Sequence, residues 1–189
     1  MLRIDRRKKA PASKLLVVDA SVLRAAGSDQ AVHPVPAHCR DTLKTILELS
    51  HRAAITDAIL EEWNRHQSGF ARRWRSSMYA RGRITRVQAH SCENVHIATR
   101  QSPTISENEI AAAAKDMHLV GAARSADRTI ISYDNAAKSA FRKLTATTGM
   151  IADLLWIDPV ADIDPLRDWL TVAAKTQRHW RLGFQGTRP

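Results

Sequence analysis

Two short apolar runs in this chain each lead to an aspartate: Lys14-Leu-Leu-Val-Val-Asp19-Ala-Ser21 and Thr129-Ile-Ile-Ser-Tyr-Asp134-Asn135. Unbroken Leu, Val and Ile runs of this length suit strands buried on both faces of a parallel sheet, where polar alternation is lost. Each strand would then carry a carboxylate at its C-terminal end. In open α/β sheets, ligands bind in the crevice beyond those ends.

With 189 residues, 44% of them hydrophobic, the chain has material for one well-packed domain and too little for two comfortable ones. Lys and Arg outnumber Asp and Glu by 29 to 19, a net charge of +10. That excess favours polyanionic partners and steers them in from a distance. Cys39 and Cys92 show no CxxC spacing, so neither a disulfide framework nor a zinc cluster is expected, and both read as reduced thiols of a cytoplasmic protein. The basic N-terminus is followed by an apolar run that Asp19 cuts short, too brief for a signal peptide or a membrane span. Three regions are expected: a flexible basic arm over 1–13, one folded domain over 14–176, and a basic C-terminal tail over 177–189.

Strand and helix signals alternate along the chain. Pro34 and Pro36 are expected to break it ahead of a helix over 37–50, and 52–56 reads as a second strand. A long helix is expected from Asp57, an N-cap or first-turn acid, with Ile59, Trp63, Phe70 and Trp74 as its apolar stripe. Residues 82–105 carry little pattern and are expected to form a hairpin or irregular loop ending at Pro103. Ser106-Glu-Asn-Glu109 has capping-box spacing and opens a helix to about Ala123. A strand over 128–133, a helix over 136–144, a strand over 154–158 and a helix over 165–174 complete the order. The alternation predicts an α/β fold with a mostly parallel sheet and helices on both faces.

Asp116 is the unusual acid. Its neighbours three and four positions away are Ala112, Ala113, Leu119 and Val120, so it lies on the core-facing stripe of its helix. An ionised carboxylate there is costly without a partner, and pairing with a nearby arginine is the plainer alternative. Asp19 and Asp134 could each cap the next helix. Of the adjacent pair, Glu62 has Ala58 and Ile59 beside it on the helix and is chosen over Glu61, which neighbours Asp57 and Asn64. Four converging carboxylates with no lysine among them would repel one another and resist ionisation. A divalent cation removes that conflict, and hard oxygen ligands suit Mg²⁺ or Mn²⁺. Such an ion activates water and neutralises a scissile phosphate, which points to metal-assisted phosphodiester hydrolysis.

Val17-Val-Asp19-Ala-Ser21, Ile59-Leu-Glu-Glu62-Trp63, Asp116-Met-His-Leu-Val-Gly-Ala-Ala123 and Ile131-Ser-Tyr-Asp134 resemble, in order, the four acidic motifs of PIN-domain nucleases. The resemblance covers roughly residues 14–158. It implies a three-layer α/β/α sandwich and a Mg²⁺- or Mn²⁺-dependent ribonuclease, and many such proteins are toxins of bacterial toxin–antitoxin pairs. By position it makes Asp19, Glu62, Asp116 and Asp134 the metal-binding acids, and Ser132 the residue that orients Asp134. The partners to expect are RNA or another single-stranded nucleic acid, an antitoxin protein, and a second copy of the chain in a homodimer, with no membrane. The segment from Asn64 to Ser106 is longer than in the compact toxins.

That segment carries Arg65, Arg72, Arg73, Arg75, Arg81, Arg83 and Arg86, interleaved with Phe70, Trp74 and Tyr79. Arginines contact phosphate bidentately and aromatics stack on unpaired bases. The arginines read as a nucleic-acid face, whereas Phe70 and Trp74 read as core. Lys175, Arg178, Arg181 and Arg188 form a second basic cluster. The histidines show no metal-ligand spacing, and His118 is assigned no chemistry. Alternatives to a ribonuclease are a structure-specific DNA nuclease and a non-catalytic nucleic-acid-binding protein whose acids pair with arginines.

Overall fold

The computed structural model describes residues 12–28, 30, 32–102, 105–172 and 175–186. In chain order these form β1 (Leu15–Val18), α1 (Ala20–Ala25), α2 (Pro34–Glu48), β2 (Arg52–Ile55), α3 (Asp57–His66), α4 (Gly69–Ala80) and β3 (Ile84–Arg86). There follow α5 (Glu93–Gln101), α6 (Glu107–Arg124), β4 (Thr129–Ile131), α7 (Asn135–Leu144), β5 (Leu155–Ile157) and α8 (Ile163–Thr171). The strands pair in the order β3-β2-β1-β4-β5, every neighbouring pair parallel. Helices α5, α6 and α7 pack together, as do α1, α2, α4 and α8, and the sheet lies between the two groups as a three-layer α/β/α sandwich. Helix α3 touches α1, β2 and α6 and so links the two layers.

The strand order determines where a site can form. From β1 the chain builds β2 and β3 outward on one side, then returns to place β4 and β5 on the other. The connections leaving β1 and β4 therefore diverge, which opens a crevice beyond their C-terminal ends. Val17 and Val18 pair with Ile130 and Ile131, and the Asp19 N–H extends the ladder to Ile131 O at 3.0 Å. The two aspartate-bearing runs are thus neighbours.

Several local expectations are corrected. Pro34 and Pro36 do not precede α2 but form its first turn, with Pro34 at the first helical position and His33 as N-cap. The helix tolerates this because its first N–H groups lack intrahelical acceptors anyway. The long helix from Asp57 is two helices. Gln67 takes an extended backbone, and Ser68 caps α4 by accepting from Ala71 N–H at 3.2 Å. Thr56 is the N-cap of α3 and Asp57 is the first-turn acid, the second of its two expected roles. The unpatterned 82–105 region supplies β3 as an edge strand and α5 as a helix, while Pro103 lies outside the described residues. The Ser106–Glu109 capping box forms as expected.

The arm expected over 1–13 lies almost wholly outside the described residues, although Ser13 Oγ donates to Ser50 O at 2.8 Å. Residues 178–182, expected within a tail, are built into the domain. Trp180 and Leu182 are fully buried, and Trp180 packs edge-on against Trp169 at 5.8 Å. Leu182 N–H donates to Leu154 O at 2.9 Å, and His179 Nε2 lies 2.9 Å from Asp162 Oδ1.

Trp63 fixes the end of β1. Its indole is fully buried, donates to Val18 O at 2.9 Å, and meets Trp74 edge-on at 5.8 Å. Trp63→Ala is expected to destabilise the fold by about 3–5 kcal/mol in urea unfolding. Trp63→Phe keeps most of the volume but orphans the Val18 carbonyl, and should cost about 1–3 kcal/mol.

Candidate metal centre at the sheet switch point

Asp19 follows β1 directly and occupies the N-cap position of α1 without bonding its backbone. Asp134 follows β4 and caps α7, its Oδ1 accepting from Ala137 N–H at 2.9 Å. Two serines tie these strand ends together. The Ser132 hydroxyl donates to Asp19 Oδ2 at 2.8 Å and accepts from Asp134 N–H at 3.0 Å. Ser21 also donates to Asp19 Oδ2, and its hydroxyl accepts from Tyr133 N–H at 3.0 Å. Each hydroxyl thus donates its proton to Asp19 and accepts a backbone N–H from the segment that follows β4. Ser132, expected to orient Asp134, orients the Asp19 carboxylate and reaches Asp134 only through its backbone.

Asp19, Glu62 and Asp134 line a cavity of about 60 Å³ together with Arg24, His66 and Lys115. Glu62 is half-buried, whereas Glu61 is exposed and pairs with Arg65. Asp116 is only 3% exposed. Burial first, then the charges of Asp19, Asp134 and Glu62, pushes its carboxyl up from 3.8 to about 7, against an opposing pull from Lys115. The structure therefore brings all four sequence-selected acids into one electrostatic neighbourhood. Among the described residues, Asp19 Oδ1 and Asp134 Oδ2 accept no hydrogen bond. Open carboxylate oxygens of this kind are donors that Mg²⁺ and Mn²⁺ accept.

Two residues change the charge balance read from sequence. Lys115 Nζ lies 3.8 Å from Asp116 Oδ1, so a lysine does stand among the acids. Its mostly exposed side chain reaches back over the helix surface, which its position next to Asp116 could have signalled. His118, one turn below Lys115, sets Nε2 3.3 Å from Glu62 Oε2, while Nδ1 lies 3.0 Å from Lys115 O. No arginine is paired with Asp116 among the described residues.

The basic segment splits in two. Arg65 pairs with Glu61, Arg75 donates to Asn64 Oδ1 at 2.6 Å, and Arg86 pairs with Asp57. Arg83 donates to Leu47 O and to Ser50 Oγ at 2.9 Å, closing the end of α2. Arg72, Arg73 and Arg81 are exposed. Trp74 is buried and Phe70 half-buried, as core residues.

The fold and this pocket define an α/β/α protein with an acidic crevice at its topological switch point. No family model, curated protein or solved structure matches the chain.

The raised Asp116 carboxyl has a definite pH signature. The folded protein holds the Asp116 proton more tightly than the unfolded chain does. The resulting stabilisation is complete below the unfolded value of 3.8 and is lost as pH rises through about 7. The difference is on the order of 4 kcal/mol. In urea melts with chelator present, wild-type protein should lose more stability between pH 5 and pH 8 than Asp116→Asn does. Identical pH slopes would show that Asp116 ionises normally.

Proposed function

We propose that the protein is a divalent-metal-dependent nuclease of the PIN type, with RNA as its substrate. The observation that carries this reading is the buried Asp116, whose carboxyl is pushed up to about 7 partly by three other acids around one small cavity. A fold keeps such a cluster at a cost in stability, and a bound cation turns that cost into affinity. Asp19, Glu62, Asp116 and Asp134 would hold Mg²⁺ or Mn²⁺, which when bound activates water and neutralises charge on a phosphate. The chain's own residues do the positioning. Ser21 and Ser132 hold Oδ2 of the Asp19 carboxylate and leave Oδ1 open, and the cap on α7 leaves Asp134 Oδ2 open. Lys115 and Arg24 at the cavity wall would meet the phosphate. The exposed Arg72, Arg73 and Arg81, with the +10 net charge, supply the long-range attraction for a polyanion.

A cytoplasmic toxin held in check by an antitoxin fits the same reading. Among the described residues no helix is long and apolar enough to cross a membrane. A second reading draws on Lys115 beside Asp116: a nucleic-acid-binding module whose acids are balanced by internal cations.

Mn²⁺ should raise the melting temperature more at pH 8 than at pH 6, because below about 7 the proton on Asp116 competes with the ion. Cleavage of unstructured RNA should fall on the order of 10²-fold or more in Asp19→Asn. Ser132→Ala should cost about 10–100-fold through loss of carboxylate orientation. RNA binding without any Mn²⁺-dependent cleavage would select the binding-module reading, and cleavage of DNA alone would replace RNA as substrate.

A further inference from the structure

Beside the acid pocket lies a second, larger cavity of about 330 Å³, open to solvent. Its walls come from two elements. Helix α6 supplies Lys115, Met117, His118 and Gly121, and the stretch that runs into the first turn of α5 supplies His90 and His96. Among the described residues no Asp or Glu lines it. An acidic pocket and a cavity lined by imidazoles and an ammonium therefore share a boundary. Lys115 belongs to both walls, and His118 lines the larger cavity while approaching Glu62 of the smaller one.

The boundary is built rather than incidental. His90 N–H donates to Gly121 O at 3.0 Å, which docks the segment directly on α6. A Cβ at position 121 would come within 2.9 Å of His90 O, so only glycine permits this approach. In the boundary itself, His118 Nε2 is buried 3.3 Å from Glu62 Oε2 without hydrogen-bond alignment. A polar atom kept dry and unsatisfied carries a desolvation cost that a bound ligand's donor or acceptor would relieve.

We propose that this cavity is a nucleotide subsite, which receives the unpaired base next to the phosphate that lies at the carboxylates. This deepens the nuclease reading and rests on it for the position of the phosphate. The volume lies in the range of small-ligand pockets. His90 and His96 offer ring faces and edges of the kind that hold splayed-out RNA bases. Lys115, between the two cavities, is placed to contact the connecting phosphate. A Cys/His metal site is the competing use of the same walls. Against it, the Cys92 thiol is pushed up by burial and its Sγ lies 3.5 Å from His90 O and 4.0 Å from Met117 O, the arrangement of a protonated donor.

The test uses the full chain with fluorescent five-residue homopolymers of RNA, read by anisotropy in chelator, and with Mn²⁺ for cleavage. His90 is exposed and His96 half-buried, so alanine at either position should leave the melting temperature close to wild type. Wild type should prefer some bases over others. His90→Ala and His96→Ala should weaken the preferred homopolymer by about tenfold and flatten the preference. Gly121→Ala, which displaces the His90 segment, should flatten it too. If both histidine variants keep the wild-type base preference, or lose affinity equally for all four polymers, the subsite is wrong. Stoichiometric Zn²⁺ binding abolished by His96→Ala would also overturn it. If wild type fails to cleave with Mn²⁺ but the variants still flatten base preference, the nuclease reading fails and the subsite stands.

Discussion

Everything at the crevice follows from one placement: a carboxylate on the buried face of α6. Nothing in helix formation asks for Asp116, and hydrophobic packing argues against it. With Ala113, Leu119, Val120 and Ala123 around it, the residue sits where water cannot help it ionise. The protein compounds the difficulty by bringing Asp19, Glu62 and Asp134 to the same place, and among the described residues the cation that acts on Asp116 is Lys115, at 3.8 Å and largely in solvent. A surface-exposed ammonium is a weak counterweight, because screening removes much of its field. The crevice is therefore short of positive charge by design of its own fold.

The sheet makes that concentration of acid possible. Because the chain reverses its direction of growth between β1 and β4, no crossover covers their carboxyl ends, and the first residues past each strand are free to face a common space. The paired serines exploit this. They bridge β1 and β4 beyond the last ladder bond and hold the Asp19 head in one orientation. Trp63 performs the same service from α3, anchoring the Val18 carbonyl one residue before the acid. The site is thus supported from α1, α3 and the short connection that follows β4.

Much of this was legible in the sequence, for stated reasons. The buried Leu/Val runs announced a parallel sheet, and periodicity around Asp116 announced a core-facing acid. Glu62 was separable from Glu61 by its apolar neighbours on one turn. The boundaries failed where two signals competed. The 4-7-4 spacing of Ile59, Trp63, Phe70 and Trp74 imitates one helix across a real break, and Ser68 as a cap was hidden inside it. Pro34 and Pro36 read as breakers because a proline at a helix start and one before it look alike in a string. Lys115 and His118 carry no such signal, because they meet Asp116 and Glu62 through side-chain reach and the packing of α3 on α6. The basic segment looked uniform, yet Arg83 closes the end of α2 while Arg72 and Arg81 face solvent.

The packing of residues 178–182 has a consequence for how the chain is made. Strand β5 is the far edge of the sheet, and its outer side is met by Arg181 and Leu182. These residues are synthesised after every strand. Until they emerge, a nascent chain presents an unpaired parallel edge and the empty berth of Trp180, both adhesive to other chains. Completion of the domain is therefore tied to residues that follow the last strand, and a chain that lacks Trp180 and Leu182 keeps an adhesive edge even though sheet and acids are all present.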